Sequence, residues 1–414
     1  MKRDVSKTLF AIVVFVALGF FVLNPAFAKS NCYLGEEGVW DGDFNTDTYA
    51  LEELSGYTSV TGNLSIRNST LPDLEVLECL TQVDGNLMID YGYNLKSLKG
   101  LENLTIIGGS LKIDHSEKLE SIKALKNLAS IGLNVSIEGC HILKSLKGLE
   151  NQTSISGNVL FSDLWGLKDL KGLENITSID GYLYIGDCSS LVNLKGLSSL
   201  THIGYYLTIE TSQILESLEG LNNLIYVGGT VSFFGNNLLT NIQALNNLTH
   251  IYGTLSLVDC PALTSLEALK NITYIGGDLH LEYFDALTNL EGLNNLTYIG
   301  GRLLLSNCDA LTNLEALKNV TYIGRDLNID DCDALTNLTG LENITSVGRD
   351  LVIYSNESLT DLSGLENLTS IIENLPIYDN SELCTSTAEA LRDQVLDAGG
   401  IGGSIYISGN DDSC

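Results

Sequence analysis

Proline is scarce in this chain, with four in 414 residues. At a hydrophobic content of 44%, that scarcity argues against a disordered polymer and leaves ample material for a packed core. Positive charge is also scarce. Twenty-two Lys and Arg face 52 Asp and Glu, for a formal net charge of −30. Nucleic acid and anionic membrane surfaces are therefore poor partners, since both are polyanions. Cationic partners, metal ions and neutral glycans stay open. The five histidines scatter, and no nucleophile–base pair or phosphate-cradling loop appears. That removes the common enzyme constellations. No window has the length and 3.6-residue period of a long helix.

Apolar runs are short as well. Leu9 to Leu23 follows the basic start Lys2, Arg3 and Lys7, and precedes Ala26-Phe27-Ala28. This pattern predicts a cleaved signal peptide over residues 1–28 and a secreted or cell-surface protein, with the periplasm as an alternative compartment. The run is too short for a membrane span, which needs ~20 residues. No apolar tail follows at the C-terminus, so no stable membrane span is expected after signal cleavage.

What is present is a period. Leucine returns every 24 residues at Leu77, Leu101, Leu125, Leu149, Leu173, Leu197, Leu221, Leu245, Leu269, Leu293, Leu317, Leu341 and Leu365. A fixed period in the twenties marks a solenoid whose coils stack on one another. In the coil from Leu293, the apolar phases are Leu293, Leu296, Ile299, Leu303, Leu305, Leu311 and Leu314. The stretch Arg302 to Ser306 alternates with period two, which predicts a strand with Leu303 and Leu305 inward and Arg302, Leu304 and Ser306 outward. A shorter strand precedes Gly300-Gly301, where the chain turns. The fold class expected is all-β: a parallel β-solenoid of about 13 regular 24-residue coils with capped ends. Residues 29–66 form an N-terminal cap and first irregular coil, with a strand-like Val39 to Phe44 and a short helix over Thr48 to Leu54. Residues 67–384 form the repeat array. Residues 385–414 form a C-terminal cap, with a helix over Thr387–Leu396, a hydroxyl of Thr385, Ser386 or Thr387 at its start, and a last strand at Ser404–Ser408.

Nine cysteines sort by phase. Cys140, Cys188, Cys260, Cys308 and Cys332 share one position of the repeat, where other coils carry Asn236, Asn356 or Asn380. They read as a buried ladder of small turn residues, with Cys308 and Cys332 as free thiols despite being on neighbouring rungs. Cys32, Cys79, Cys384 and Cys414 are off-phase and terminal, and read as staples. The expected pairs are Cys32–Cys79 and Cys384–Cys414, with the other pairings open.

Gly62-Asn63-Leu64-Ser65-Ile66, followed by Gly-Leu-Glu-Asn-Leu-Thr-x-Ile-Gly-Gly-x-Leu-x-Ile coils, resembles the receptor L domain, the leucine-rich module of insulin- and EGF-receptor ectodomains. The resemblance covers roughly Trp40 to Cys384 and implies a right-handed β-helix that binds through the face of its main sheet. Similar modules occur in long secreted bacterial proteins. The chain departs from the receptor modules in having about twice as many coils, and Tyr57 stands where they carry an early cysteine.

The outward sheet face is mostly small or polar, with one aromatic patch: Tyr182, Tyr184 and Tyr206, with Glu210 beside it and Phe234 further along. This is the candidate ligand-binding site. A second ladder, His202, Tyr226, His250, Tyr274, Tyr298 and Tyr322, reads as structural stacking. Asn-x-Ser/Thr occurs fourteen times, mostly at one phase, and reads chiefly as turn structure. Asp309, Asp330, Asp331 and Asp333 offer carboxylates for Ca²⁺ but lack a recognised spacing, so no metal and no cofactor is expected. Asp278, Arg302, Asp326 and Asp350 share an outward phase, as polysaccharide-cleaving β-helices require, but read as a surface charge ladder. Regular Thr columns raise ice binding, which the high charge opposes. Lysines crowd the early coils at Lys96, Lys99, Lys123, Lys126, Lys144, Lys147, Lys168 and Lys171, while later coils are mostly acidic. The function expected is non-enzymatic recognition of an extracellular protein or glycan. The alternatives are an adhesive envelope spacer and, behind it, a polysaccharide-active enzyme.

Overall fold

A computed structural model describes residues 32–414. The expected signal peptide, residues 1–28, lies outside the described residues. The chain winds into a parallel β-solenoid. One continuous sheet of 16 strands runs its length. Its strands are four residues long from Leu64–Arg67 onward, paired in exact phase: Leu279 with Leu303, and Leu303 with Leu327. Regular 24-residue spacing holds from Leu87–Asp90 to Leu375–Tyr378, and the strands Phe44–Asn45, Leu64–Arg67 and Ile405–Ser408 are the irregular outer rungs. At ~4.8 Å per rung the rod is about 70 Å long.

Two-residue strands line a second side of each coil and form three separate sheets of five, four and seven strands. The third side is built of turns and single turns of 3₁₀ helix such as Glu315–Leu317. No helix among the described residues is long and apolar enough to cross a membrane.

The period-two alternation predicts the inward set correctly. Leu293, Leu296, Ile299, Leu303, Leu305, Leu311 and Leu314 are all fully buried. Ser306 differs from expectation. It sits on the outward side yet is buried, because its hydroxyl donates to Asp330 (2.5 Å) while Asn307 donates to it (2.9 Å). Each four-residue strand is followed by a residue in the left-handed region, such as Asp187 (φ 51°), Asp259 (φ 52°) or Asp331 (φ 50°). Asp, Asn and Gly dominate this column because they tolerate positive φ at least cost. The corner turns the next residue inward, and that residue is the Cys/Asn/Ser column.

The ladder reading of that column holds. Cys140, Cys188, Cys260, Cys308 and Cys332 are free and buried. Each thiol reaches the carbonyl two residues back, for example Cys188 to Gly186 (3.4 Å) and Cys332 to Asp330 (3.4 Å). Asn356 makes the same bond to Tyr354 (3.0 Å) with its amide. Burial pushes the Cys140 and Cys188 thiols up to about 12.

The four terminal cysteines pair as Cys32–Cys79 and Cys384–Cys414. At the N-terminal end, Trp40 makes edge contacts with Phe44, Tyr49 and Tyr57 at 5.1–5.5 Å and covers the first rung. At the other end the helix Thr385–Ala398 closes the core with Ala388, Leu391 and Val395. The hydroxyl cap expected there is absent: the N-cap is Cys384, with no side-chain bond. The start of this helix is instead held by the disulfide and by the Thr385 N–H bonding the Asp411 carbonyl (2.8 Å).

Candidate functional site

The outward face of the main sheet begins, in each coil, with the residue just before the four-residue strand. Along the rod this column reads Asn63, Asn86, Ser110, Asn134, Asn158, Tyr182, Tyr206, Thr230, Thr254, Asp278, Arg302, Asp326, Asp350 and Asn374. Its side chains form a cross-rung ladder. The Asn86 N–H donates to the Asn63 side-chain oxygen Oδ1 (2.8 Å), Ser110 N–H to Asn86 Oδ1 (2.7 Å), and Asn158 N–H to Asn134 Oδ1 (2.7 Å). Further along, Asp278 N–H donates to the Thr254 hydroxyl (3.1 Å) and Asn374 N–H to Asp350 (2.8 Å).

Tyr182, Tyr206 and, further along, Arg302 interrupt the ladder; Arg302 compensates by an ion pair with Asp278 (3.1 Å), the tyrosines do not. The tyrosine side chains offer no acceptor to the next rung's backbone and stack on each other instead, centroids 4.6 Å apart and 7° from parallel. Tyr184 lies in the strand that follows Tyr182, Leu183–Gly186, and its hydroxyl donates to Glu210 on the next rung. Gly186 makes room for that reach, because a Cβ there would stand 2.6 Å from the Tyr184 hydroxyl oxygen. Burial, the Glu210 bond and its charge hold the Tyr184 phenol well above the usual tyrosine range. Burial and neighbouring Tyr206 also raise Tyr182. Phe234 pairs with Glu210 across the sheet and is 45% exposed. The structure thus brings all five sequence-predicted residues, Tyr182, Tyr184, Tyr206, Glu210 and Phe234, onto three neighbouring rungs of one face.

A second aromatic group on this face was missed. Tyr354 and Tyr378 stack at 5.0 Å and 3°, with Tyr406 edge-on at 5.6 Å. Burial and Asp330 push Tyr354 up to about 12. Tyr354 and Tyr378 occupy the same repeat phase as Phe234, so sorting by phase would have revealed them.

The remaining candidates take structural roles. In the charge ladder, Asp278 accepts from the Arg302 backbone N–H (2.9 Å) and guanidinium (3.1 Å), and Asp326 from the Asp350 N–H (3.2 Å). These carboxylates are occupied by the polar ladder rather than gathered around a reacting centre. Burial, then Asp333, raises both Asp309 and Asp331. No group of three or more His, Cys, Asp or Glu among the described residues is arranged to hold a metal. In the Asn-x-Thr phase the amide nitrogen donates to a carbonyl of the preceding rung, as in Asn295 to Lys270 and Asn343 to Lys318 (2.7 and 2.6 Å). Thr hydroxyls do likewise, Thr297 to Thr273 at 3.0 Å. The second aromatic ladder is stacked through Tyr274, Tyr298 and Tyr322 at 4.9 Å per step.

Comparison with known families agrees with the repeat. The receptor L-domain model matches residues 78–152 and 271–396. Six copies of the BspA-type leucine-rich repeat region match residues 161–284, which fills the gap and overlaps the second of these matches. No curated protein matches the chain.

Proposed function

We propose, from the premise that these coils belong to the receptor L-domain family, that the chain is a secreted or surface-displayed, non-enzymatic recognition module. Receptor L-domain and leucine-rich repeat modules bind proteins and other ligands and typically work outside the cell. The proposed contact surface is the outward sheet face around Tyr182, Tyr184, Tyr206, Glu210 and Phe234.

One observation carries this reading. The column before the main strand is a hydrogen-bonding ladder; Tyr182 still donates into it, to Asn158 (3.1 Å), but Tyr182 and Tyr206 offer no acceptor to the N–H groups of Tyr206 and Thr230 and present two partly exposed aromatics instead. A backbone N–H left without its side-chain acceptor costs about 0.5–1.5 kcal/mol of net bonding. Ring stacking returns a similar amount, so fold stability alone gives little reason for the exchange. The stack also favours a protein over a glycan. Each ring covers one face of the other, which halves the ring faces left for sugars to stack on. Tyrosines beside an exposed Phe suit a protein interface, where aromatics anchor the contact.

The test uses Tyr182→Asn/Tyr206→Asn, which restores the residue type of the neighbouring rungs. Wild type and variant are probed against displayed extracellular proteins and a glycan array. The expected result is a folded variant, at least as stable as wild type, that loses a protein ligand the wild type binds. Retained binding in the variant refutes the site. Wild-type silence on both arrays favours the spacer reading.

A further inference from the structure

One exposed column on the turn side carries a charge pattern that neither the fold nor the proposed site uses. Rung by rung it reads Glu75, Lys99, Lys123, Lys147, Lys171, Lys195, Glu219, Gln243, Glu267, Glu291, Glu315 and Thr339. Five lysines in succession are followed by four glutamates and a glutamine. Like charges stacked on adjacent rungs repel. The chain relieves this only partly. Lys99 pairs with Glu75 (2.9 Å), Lys195 with Glu219 (3.1 Å), Lys171 with Asp169 (2.7 Å) and Glu267 with Lys270 (3.1 Å). Lys123, Lys147, Glu291 and Glu315 make no ion pair among the described residues. A shallow groove of about 330 Å³ runs through the lysine half, lined by Lys123, Lys144, Lys147, Lys168 and Lys171 with Glu120 and Asp169. A smaller one, about 130 Å³, lies in the same columns of the acidic half beside Gln243 and Glu267.

The sequence of charges inverts about its midpoint, between Lys195 and Glu219. We propose that this face associates with the same face of a second copy, antiparallel, about a two-fold axis at that midpoint. The axis sets Lys195 against Glu219, Lys171 against Gln243, Lys147 against Glu267, Lys123 against Glu291 and Lys99 against Glu315. Every rung meets its partner because two copies of one solenoid share one pitch. An isologous contact places each pair twice, once on either side of the axis. The neighbouring column is an independent check. Under the same axis Glu102 faces Lys318 and Glu150 faces Lys270, and no like charges meet there over the ten rungs from Lys99 to Glu315; Glu78 faces Glu342 only one rung beyond, at either end. The two grooves also face each other. Parallel side-by-side packing would set lysine on lysine.

Ten rungs at ~4.8 Å, roughly 10–15 Å wide, bury on the order of 1,000 Å² in total, the size of weak, exchangeable interfaces. The net charge of −30 on each copy opposes the contact. At physiological ionic strength the Debye length is ~8 Å, so most of that charge is screened while facing pairs still interact.

Sedimentation velocity over a concentration series of the secreted chain tests this. Two double variants are compared, Lys123→Glu/Lys147→Glu and Glu267→Lys/Glu291→Lys. The parent is expected to dimerise reversibly. Each variant alone reverses four facing pairs and weakens the dimer by on the order of 100-fold. An equimolar mixture of the two restores it, because the swapped charges face each other again. Matching circular dichroism confirms that the variants fold. A parent that stays monomeric, variants that still dimerise, or a mixture that does not recover overturns the proposal. So does a monomer whose lysine groove binds polygalacturonate, which would make an anionic polymer the occupant. Tyr182→Asn/Tyr206→Asn is expected to dimerise normally, so failure here is distinguishable from failure of the proposed binding face.

Discussion

Asn356 sits in the corner column with no solvent exposure. Its amide nitrogen donates to the carbonyls of Ile329 and Tyr354 (both 3.0 Å) and to Asn380 (3.1 Å), and its side-chain oxygen accepts from the Cys332 N–H (3.1 Å). Asn356→Ala removes both carbonyl donations and leaves a buried N–H without its acceptor. Two net hydrogen bonds at about 0.5–1.5 kcal/mol each, plus about 1–3 kcal/mol for the orphaned donor, give a loss of about 2–6 kcal/mol. Asn380 suffers less, since its side-chain oxygen still accepts from the Asn356 backbone N–H (3.1 Å). Asn356→Cys restores a donor to the Tyr354 carbonyl, as five other rungs do, but not the acceptor for Cys332. It is expected to cost about 1–3 kcal/mol, the orphaned donor alone. Cys332→Asn, which extends the amide ladder by one rung, is expected to be neutral or stabilising. Guanidinium melts of the four proteins, followed by circular dichroism and fitted with a common slope, give the ranking. A cost under about 1 kcal/mol for the alanine variant, or a cysteine variant as damaged as the alanine one, would refute the idea that this column works by hydrogen bonding.

Gly186→Ala places a methyl against the Tyr184 ring and should break the bond to Glu210. The Tyr184 phenol then titrates closer to its ordinary value, which ultraviolet difference titration reads, while the melting temperature changes little. The five free thiols should be silent to an aromatic disulfide reagent in the native protein and react fully once it is unfolded. Stability should also fall at high pH. Burial raises the Cys140 and Cys188 thiols from 9.0 to about 12 and Cys260 to about 11. Above pH 9 the unfolded chain sheds protons that the native state keeps, so this stabilisation is full below pH 9 and declines as the pH climbs towards 12. Denaturant midpoints across that range check the sign.

The inward architecture was legible because each buried phase recurs a dozen times. Leu303 needs no individual argument when Leu279 and Leu327 repeat it. Where a feature occurs once, the sequence misled or fell silent. The C-terminal helix was found, but its start was assigned to a hydroxyl because the tether to Asp411 is tertiary. Ser306 alternated outward as expected and was still buried, because Asp330 on the next rung bonds to it. The candidate patch stood out as chemistry, but its significance depends on cross-rung bonds between residues 24 apart, which identity alone does not display. Tyr354 and Tyr378 share a readable phase with Phe234, but they stand 24 residues apart in sequence and only their cross-rung stacking makes them a group. The lysine-rich early coils were seen as a gradient. Only the registered column shows that the charges invert about a midpoint.

The two disulfides have a consequence for how the rod comes apart. An outermost coil has a neighbour on one side only, so an end is where such a stack opens first. Cys32–Cys79 ties the first coils across 47 residues of sequence, and Cys384–Cys414 ties the last across 30. With both ends pinned, fraying is blocked and opening must begin at an interior rung, where two interfaces break at once. Proteases then meet a closed molecule in an oxidising environment. A reductant converts the same chain into one that can be digested progressively from its tips, with the central coils surviving longest.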